Sequence, residues 1–227
     1  MLNETNVKLG KVRSSIRELF EYAKRRKAEI GEDKVFDFSI GNPNVSAPEE
    51  VKDAIIDLIE NCDPVELHSY TSAQGDYSVR EAISNNLNSR FGVNLNADCI
   101  YMTCGASASL TISLNALLNS GDEVIVFAPF FPEYKVFIEH AGGRMVLIDC
   151  DRDFQPDLKK FEKALTDKTK AVIINSPNNP SGVVYSEDTV KKIVAAVEKR
   201  KNPVYIIADE PYRELVYSGV KIPFIMN

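Results

Sequence analysis

Hydrophobic positions along the chain follow two rhythms. Short runs that are apolar throughout alternate with stretches in which apolar residues recur every three or four positions. The first rhythm belongs to strands buried on both faces, the second to helices with one buried stripe. Val12 to Ile30 has the helical spacing and stops at Gly31. Val35 to Ile40 reads as a short strand running into Gly41. Pro48 opens a helix in which Val51, Ala54, Ile55, Leu58 and Ile59 share one face, expected to be buried. Asp76 is a candidate N-cap for a helix through Arg90 that Gly92 closes. From Cys99 the alternation is regular. Strands are expected at Cys99–Thr103, Val124–Ala128, Met145–Ile148, Ala171–Ile174 and Val204–Ala208. Helical segments are expected at Ala106–Leu118, Tyr134–His140, Leu158–Leu165 and Thr189–Lys199. Apolar strands separated by helices predict an α/β fold, a three-layer sandwich around a mostly parallel sheet. Ligands of such sheets sit beyond the carboxyl ends of the strands, so function is sought there.

Composition narrows the class. The 227 residues are 44% hydrophobic and 26% charged, an ordinary globular balance with length enough for a sizeable core. A net charge of −6, with basic residues scattered among acids, argues against a nucleic-acid partner. Lys24, Arg25, Arg26 and Lys27 share a helical pattern with Glu18, Glu21 and Glu29 and read as a solvated face. Cys62, Cys99, Cys104 and Cys150 are scattered, and the histidines are His68 and His140, so no metal site is expected. Unpaired cysteines suit a reducing compartment. With no apolar signal core and no membrane-spanning run, the expectation is a cytoplasmic protein with no membrane partner.

Four predicted strand ends carry unusual chemistry. At "TCGASASL", residues 103–110, a strand passes through Gly105 into a helix whose first turn holds Ala106, Ser107 and Ser109. Free N–H groups and a hydroxyl at a helix start suit a phosphate, though a plainly capped helix has the same spelling. It matches neither GxGxxG nor GxxxxGK[ST], which counts against a dinucleotide fold and a P-loop. At "APFFPEY", residues 128–134, Phe131 can stack on a flat ring, or both phenylalanines fill the core. At "NSPNNPSG", residues 175–182, Asn179 stands before Pro180 with an amide to present. At "IIADEPY", residues 206–212, Asp209 lies at the mouth of a buried strand, where a carboxylate is costly unless paired, and Tyr212 can return a hydroxyl nearby. A structural aspartate capping the next turn is the competing reading. Together these positions describe a pocket for a flat, phosphorylated, nitrogen-containing aromatic. Pyridoxal phosphate fits all of them, with Asp209 keeping the pyridine nitrogen protonated.

The order and spelling of these segments resemble the N-terminal part of a fold-type I pyridoxal phosphate enzyme of the class I/II aminotransferase family, from about Asp37 to Pro223. The resemblance implies that Asn179 of "NNPSG" and Tyr212 of "ADEPY" bond the phenolic oxygen of the cofactor, and that Asp209 pairs with the pyridinium. It also implies that Gly105, Ala106 and Ser107 form the phosphate loop and that Phe131 stacks on the ring. "YTSAQG", residues 70–75, resembles the segment whose tyrosine, here Tyr70, reaches the phosphate of the neighbouring subunit, so a homodimer is expected. "IGNPN" resembles the loop whose glycine, here Gly41, lies against the substrate carboxylate, with Asn179 also near the substrate. The implied activity is amino-group transfer between an amino acid and a 2-oxo acid, in amino-acid metabolism. Residues 1–47 would form an N-terminal arm and part of the small domain, and 48–227 an incomplete cofactor-binding large domain, truncated at the C-terminus. The same motifs serve carbon–sulfur lyases and aminocyclopropane-carboxylate synthases, and a non-catalytic binding module on this fold is a further alternative.

Two features of the family are missing. The Schiff-base lysine should follow Asp209 by a few tens of residues, and the arginine for the substrate carboxylate should come later still. Lys221 follows Asp209 too closely, between Val220 and Ile222, to take the first role. No catalytic residue is therefore assigned in this chain. The expectation is a fragment of an aminotransferase that is inactive alone.

Overall fold

The computed structural model describes residues 2, 4–11, 15–41 and 45–226. By packing, the chain divides into two compact units, Met1–Tyr70 and Thr71–Asn227.

The first unit is helical. It contains α1 (Glu4–Lys11), α2 (Ser15–Ile30), α3 (Glu49–Asn61) and α4 (Pro64–His68). Helix α2 stops where expected, with the Gly31 N–H donating to the Lys27 carbonyl at 3.0 Å. Val35–Ile40, expected as a strand, is not one. Its polar groups close locally instead. The Asp37 carboxylate accepts from the Ser39 N–H at 3.0 Å and the Ser39 hydroxyl at 2.6 Å, which with nearby Lys27 holds its pKa below the usual carboxylate range. A short side chain that bonds its own backbone competes with a ladder, and no described strand lies alongside to offer one. The apolar stripe of α3 forms as spaced but is not buried. Val51, Ile55, Leu58 and Ile59 all remain about half exposed. Helical spacing predicts a stripe and says nothing of what covers it.

The second unit opens with α5 (Tyr77–Phe91), whose ends are as the sequence predicts. The Asp76 carboxylate accepts from the Val79 N–H at 3.2 Å, and Gly92 takes the left-handed conformation (φ 69°) that lets its N–H reach the Asn88 carbonyl. Buried Arg80 donates to the carbonyls of Gly75 and Ala97 at 3.2 and 2.6 Å, fastening the two loops that flank this helix. Cys99–Thr103 is not the expected strand. Ala97–Cys99 form one tight turn, and the residues after it run extended with the Met102 N–H on the Gln74 carbonyl at 2.9 Å. Tyr101 and Met102 stay exposed, so the run is not buried on both faces as a central strand would be.

The remainder is regular. Helix α6 (Ala106–Leu117), β1 (Glu123–Ala128), α7 (Glu133–His140), β2 (Arg144–Asp149), α8 (Leu158–Ala164), β3 (Thr169–Asn175), α9 (Glu187–Glu198) and β4 (Tyr205–Asp209) follow in turn. The strands form one parallel sheet in the order β2-β1-β3-β4. Alternate residues of the two central strands divide between two cores. Ile125, Phe127, Val172 and Ile174 face α8 and α9 through Phe161, Val190 and Ile193. Val124, Val126, Ala171 and Ile173 face α6 and α7 through Leu110, Leu114 and Ile138. Period-two alternation between two helix-covered faces is the three-layer sandwich. All four strands point the same way, so their carboxyl ends open on one side.

Gly75 is a tight point in this unit. A Cβ placed on it would stand 2.5 Å from Met102 Cγ and 2.7 Å from Met102 Cβ, and its φ of 98° disfavours any side chain. Gly75→Ala is expected to lower stability by about 2–3 kcal/mol in urea unfolding. A change within about 0.5 kcal/mol would show that the Met102 packing yields freely.

Candidate active site

Three strands deliver functional residues to one side of the sheet. After β1 the chain turns through Pro129 and Phe130 to Phe131, after β3 through Pro177 and Asn178 to Asn179, and β4 ends on Asp209 itself. The Ala128–Pro129, Ser176–Pro177 and Asn179–Pro180 peptide bonds are cis. The start of α6 points at the same place, preceded by Gly105 as its N-cap residue. A cavity of about 140 Å³ lies between these ends, lined by Ala106, Ser107, Phe131, Asn179, Asp209 and Tyr212. Six of the residues named from sequence thus share one cavity. Leu110, Tyr134, Asn175 and Pro211 complete its wall.

Asp209 dominates the electrostatics. Burial pushes its pKa above the usual carboxylate value, and the charge of Glu210 pushes further, while the hydroxyl of Tyr134, donating to Oδ2, pulls the other way. Among the described residues no lysine, arginine or histidine forms an ion pair with it. Tyr134 is itself buried, and burial together with the facing carboxylate raises the pKa of its hydroxyl far above that of free tyrosine. That hydroxyl stays protonated and serves Asp209 as a fixed donor. Sequence reasoning placed Tyr134 only as the start of a helix. Its position three residues after Phe131, on the first turn of α7, was the available signal.

The other groups are held by neutral hydrogen bonds. Asn179 Nδ2 donates to the Tyr212 hydroxyl at 3.2 Å, so amide and phenol act as a pair. Phe131 is partly buried and meets the Tyr134 ring edge-on, with centroids 5.5 Å apart. Among the described residues no side chain caps the first turn of α6. Thr103 Oγ1, within 2.6 Å of Ser109 Oγ and donating to the Gly105 carbonyl at 3.1 Å, fastens the loop from beside it. Uncapped N–H groups at a helix start, with the Ser107 hydroxyl beside them, suit an anion.

These donors and acceptors fit pyridoxal phosphate group by group. An uncapped helix start suits a phosphate, a half-buried carboxylate with no ion-pair partner among the described residues suits a pyridinium, an amide and a phenol suit a phenolic oxygen, and the Phe131 ring suits the face of a flat ring. Tyr70 and Gly41 belong to the first unit. Tyr70 is fully exposed, and Asn42, Pro43 and Asn44 of the "IGNPN" motif lie outside the described residues. Among the described residues no cluster of His, Cys, Asp or Glu is placed to hold a metal ion, and no helix is long and apolar enough to cross a membrane.

Comparison with known proteins gives the family. The family model for aminotransferase class I and II matches residues 33–227. An aspartate aminotransferase of Thermotoga maritima is 38% identical over 190 residues, covering 83% of this chain and 48% of that protein. The glutamate-pyruvate aminotransferase AlaA of Escherichia coli K12 is 34% identical over 83% of this chain and 46% of its own length. Among solved structures, an amino transferase from Eubacterium rectale superposes with a TM-score of 0.96 at 52% identity, covering all of this chain and 58% of that one. The Thermotoga maritima aspartate aminotransferase gives 0.85 at 35% identity, over 99% of this chain and 58% of its own. The chain spans about half the length of the curated relatives it matches. Enzymes of this family depend on pyridoxal phosphate. On its fold, its cavity and this coverage, the chain belongs to the aminotransferase class I and II family.

Proposed function

We propose that this chain builds the cofactor-binding part of a pyridoxal phosphate-dependent aminotransferase, which moves an amino group between an amino acid and a 2-oxo acid. The observation that carries the reading is Asp209, a half-buried carboxylate at the end of β4 with no ion-pair partner among the described residues, on the same cavity as an uncapped helix start. When bound, pyridoxal phosphate supplies an electron sink for the substrate α-carbon. The residues of this chain do the rest of the work on the cofactor. Asp209 holds a proton on the ring nitrogen, and Tyr134 holds Asp209. Asn179 and Tyr212 hydrogen-bond the phenolic oxygen. The N–H groups of Ala106 and Ser107, with the Ser107 hydroxyl, hold the phosphate after the turn at Gly105. Phe131 covers a ring face and keeps water from it.

The names of the relatives favour amino transfer over elimination, with aspartate, or glutamate and pyruvate, as substrates of those proteins. Gly41 and Asn179 are assigned to the substrate, and Tyr70 to the phosphate of a second subunit in a homodimer. Residues 48–70 are assigned with 71–227 to the cofactor-binding domain, and 1–47 to the arm and small domain.

Among the described residues no lysine lines the cavity, so the cofactor is expected to bind here without a covalent link. Pyridoxal phosphate added to the purified chain should give a bound visible spectrum. After borohydride reduction and denaturation the intact mass should show no stoichiometric adduct, and transamination by this chain alone should be negligible. A single-site reduced adduct or ordinary turnover would overturn this, and failure to bind would overturn the cofactor reading. Light scattering at micromolar concentration should show a dimer or larger species, given the exposed stripe of α3; a clean monomer would count against the homodimer.

The raised pKa of Asp209 sets a pH dependence. The unliganded native chain holds this proton more tightly than the unfolded chain does, so this group's contribution to stability is present in acid. It is lost as pH rises from the ordinary carboxylate value through the raised native one. Asp209→Asn keeps an acceptor for Tyr134 and removes the charge. Without cofactor, the variant should be more stable than the parent near pH ~7, with the difference gone below about pH 4. Its affinity for pyridoxal phosphate should fall at least about tenfold, or about 1.4 kcal/mol. Urea unfolding across pH and a binding titration check both parts.

A further inference from the structure

The end of β3 and the loop after it contain three asparagines, and only Asn179 has a task at the cofactor. Asn175 and Asn178 are 5% and 6% exposed. A buried amide is costly unless both its donor and its acceptor are used, so the partners of these two are informative. Asn175 Oδ1 accepts the N–H of Asn179 at 2.7 Å, and its Nδ2 donates to the carbonyl of Asp209 at 2.8 Å. One side chain therefore bonds the backbone of both residues that the cofactor reading places at the ring nitrogen and at the phenolic oxygen. Asn175 and Asp209 are also the last paired positions of the β3–β4 ladder. Its side chain continues the cross-linking where backbone pairing stops. Asn178 plays a matching part towards β1, with Nδ2 on the Pro129 carbonyl at 3.2 Å and Oδ1 accepting from the Ser181 N–H and hydroxyl at 3.0 and 2.7 Å.

We propose that Asn175 is a positioning residue for the cofactor site, setting the separation of Asn179 from Asp209 by bonding the backbone of each. The inference rests on the pyridoxal phosphate reading. A pyridine ring is rigid, so its nitrogen and its phenolic oxygen stand at a fixed separation. Two protein groups that must meet both at once need the same separation between them, and small displacements of either weaken both contacts. Among the described residues no ladder reaches Asn179, which is four residues past the strand end, so a side chain has to supply the constraint.

The test uses 4-deoxypyridoxine 5′-phosphate, which keeps the ring nitrogen, the phenolic oxygen and the phosphate but has no aldehyde to react with surface lysines. Equilibrium dialysis would compare the full chain with Asn175→Ala, Asn179→Ala and the double variant, each checked for cooperative melting by circular dichroism. Asn175→Ala should weaken binding about tenfold in the parent background, and at least about threefold less than that once Asn179 is already alanine, because the two share one interaction. Equal losses in both backgrounds, or no loss, would overturn the inference while leaving the pocket in place. Absence of binding by the parent chain would overturn the cofactor reading and this inference with it. Should Asn175→Ala melt without cooperativity, Asn175→Ser carries the same comparison, since its hydroxyl can serve one of the two partners at a time.

Discussion

Asp209 ends the last strand of the sheet in a position where burial raises its pKa, Glu210 adds a second negative charge, and a tyrosine hydroxyl is the side-chain donor it meets. A carboxylate taken out of water costs several kcal/mol unless a cation or several donors compensate it. One neutral donor compensates only in part. In the function proposed above, a cationic ring supplies the rest. Tyr134, fully buried, spends its hydroxyl on Asp209 and its ring against Phe131, which borders the same cavity. Asn175, Asn179 and Tyr212 form a chain of bonds that starts at the Asp209 carbonyl and returns to the turn after it.

Much of this was legible in the sequence, and what was not had a common cause. Val124–Ala128 and Ala171–Ile174 announce themselves because both faces of a central parallel strand are covered, so the run is apolar throughout. Val35–Ile40, which alternates through Asp37 and Ser39, and Cys99–Thr103 also spell strands locally. A strand exists only through its partner's N–H and C=O groups; Asp37 takes that role locally in the first stretch, and the Gln74 carbonyl, from the loop before α5, takes it in the second. The stripe of α3 is the helical version of the same problem. A local pattern defines an element and one of its faces, while burial belongs to the pair. Asp76 and Gly92 were readable because capping is settled within a few residues.

The site divides along the same line. Phe131, Asn179, Asp209 and Tyr212 stand out in the sequence because they follow apolar strands, at the carboxyl ends where ligands of parallel sheets lie, and the structure puts all four on one cavity. Tyr134 and Asn175 touch the same cavity and were passed over. Tyr134 sits in a helical pattern and packs in the core as that pattern demands, so its polar end is invisible until Asp209 is placed opposite. Asn175 reads as the end of a strand or the start of a turn, and nothing local shows that both ends of its amide cross to other segments.

Parallel sheets explain why such residues are needed. Backbone ladders fix strand ends only as far as the last paired residue, and the loops beyond must satisfy their own polar groups. A site assembled from the ends of three strands therefore begins where the regular constraint stops. Buried amides suit that gap, because each offers a donor and an acceptor a fixed distance apart and leaves a penalty if either is unused. Asn175 spans β3 and β4, and Asn178 spans β3 and the turn after β1. The burial that makes these asparagines costly when unpaired is what makes them accurate when paired. A rigid ligand recognised at several points at once gains from that accuracy, because a preformed site has less to order on binding.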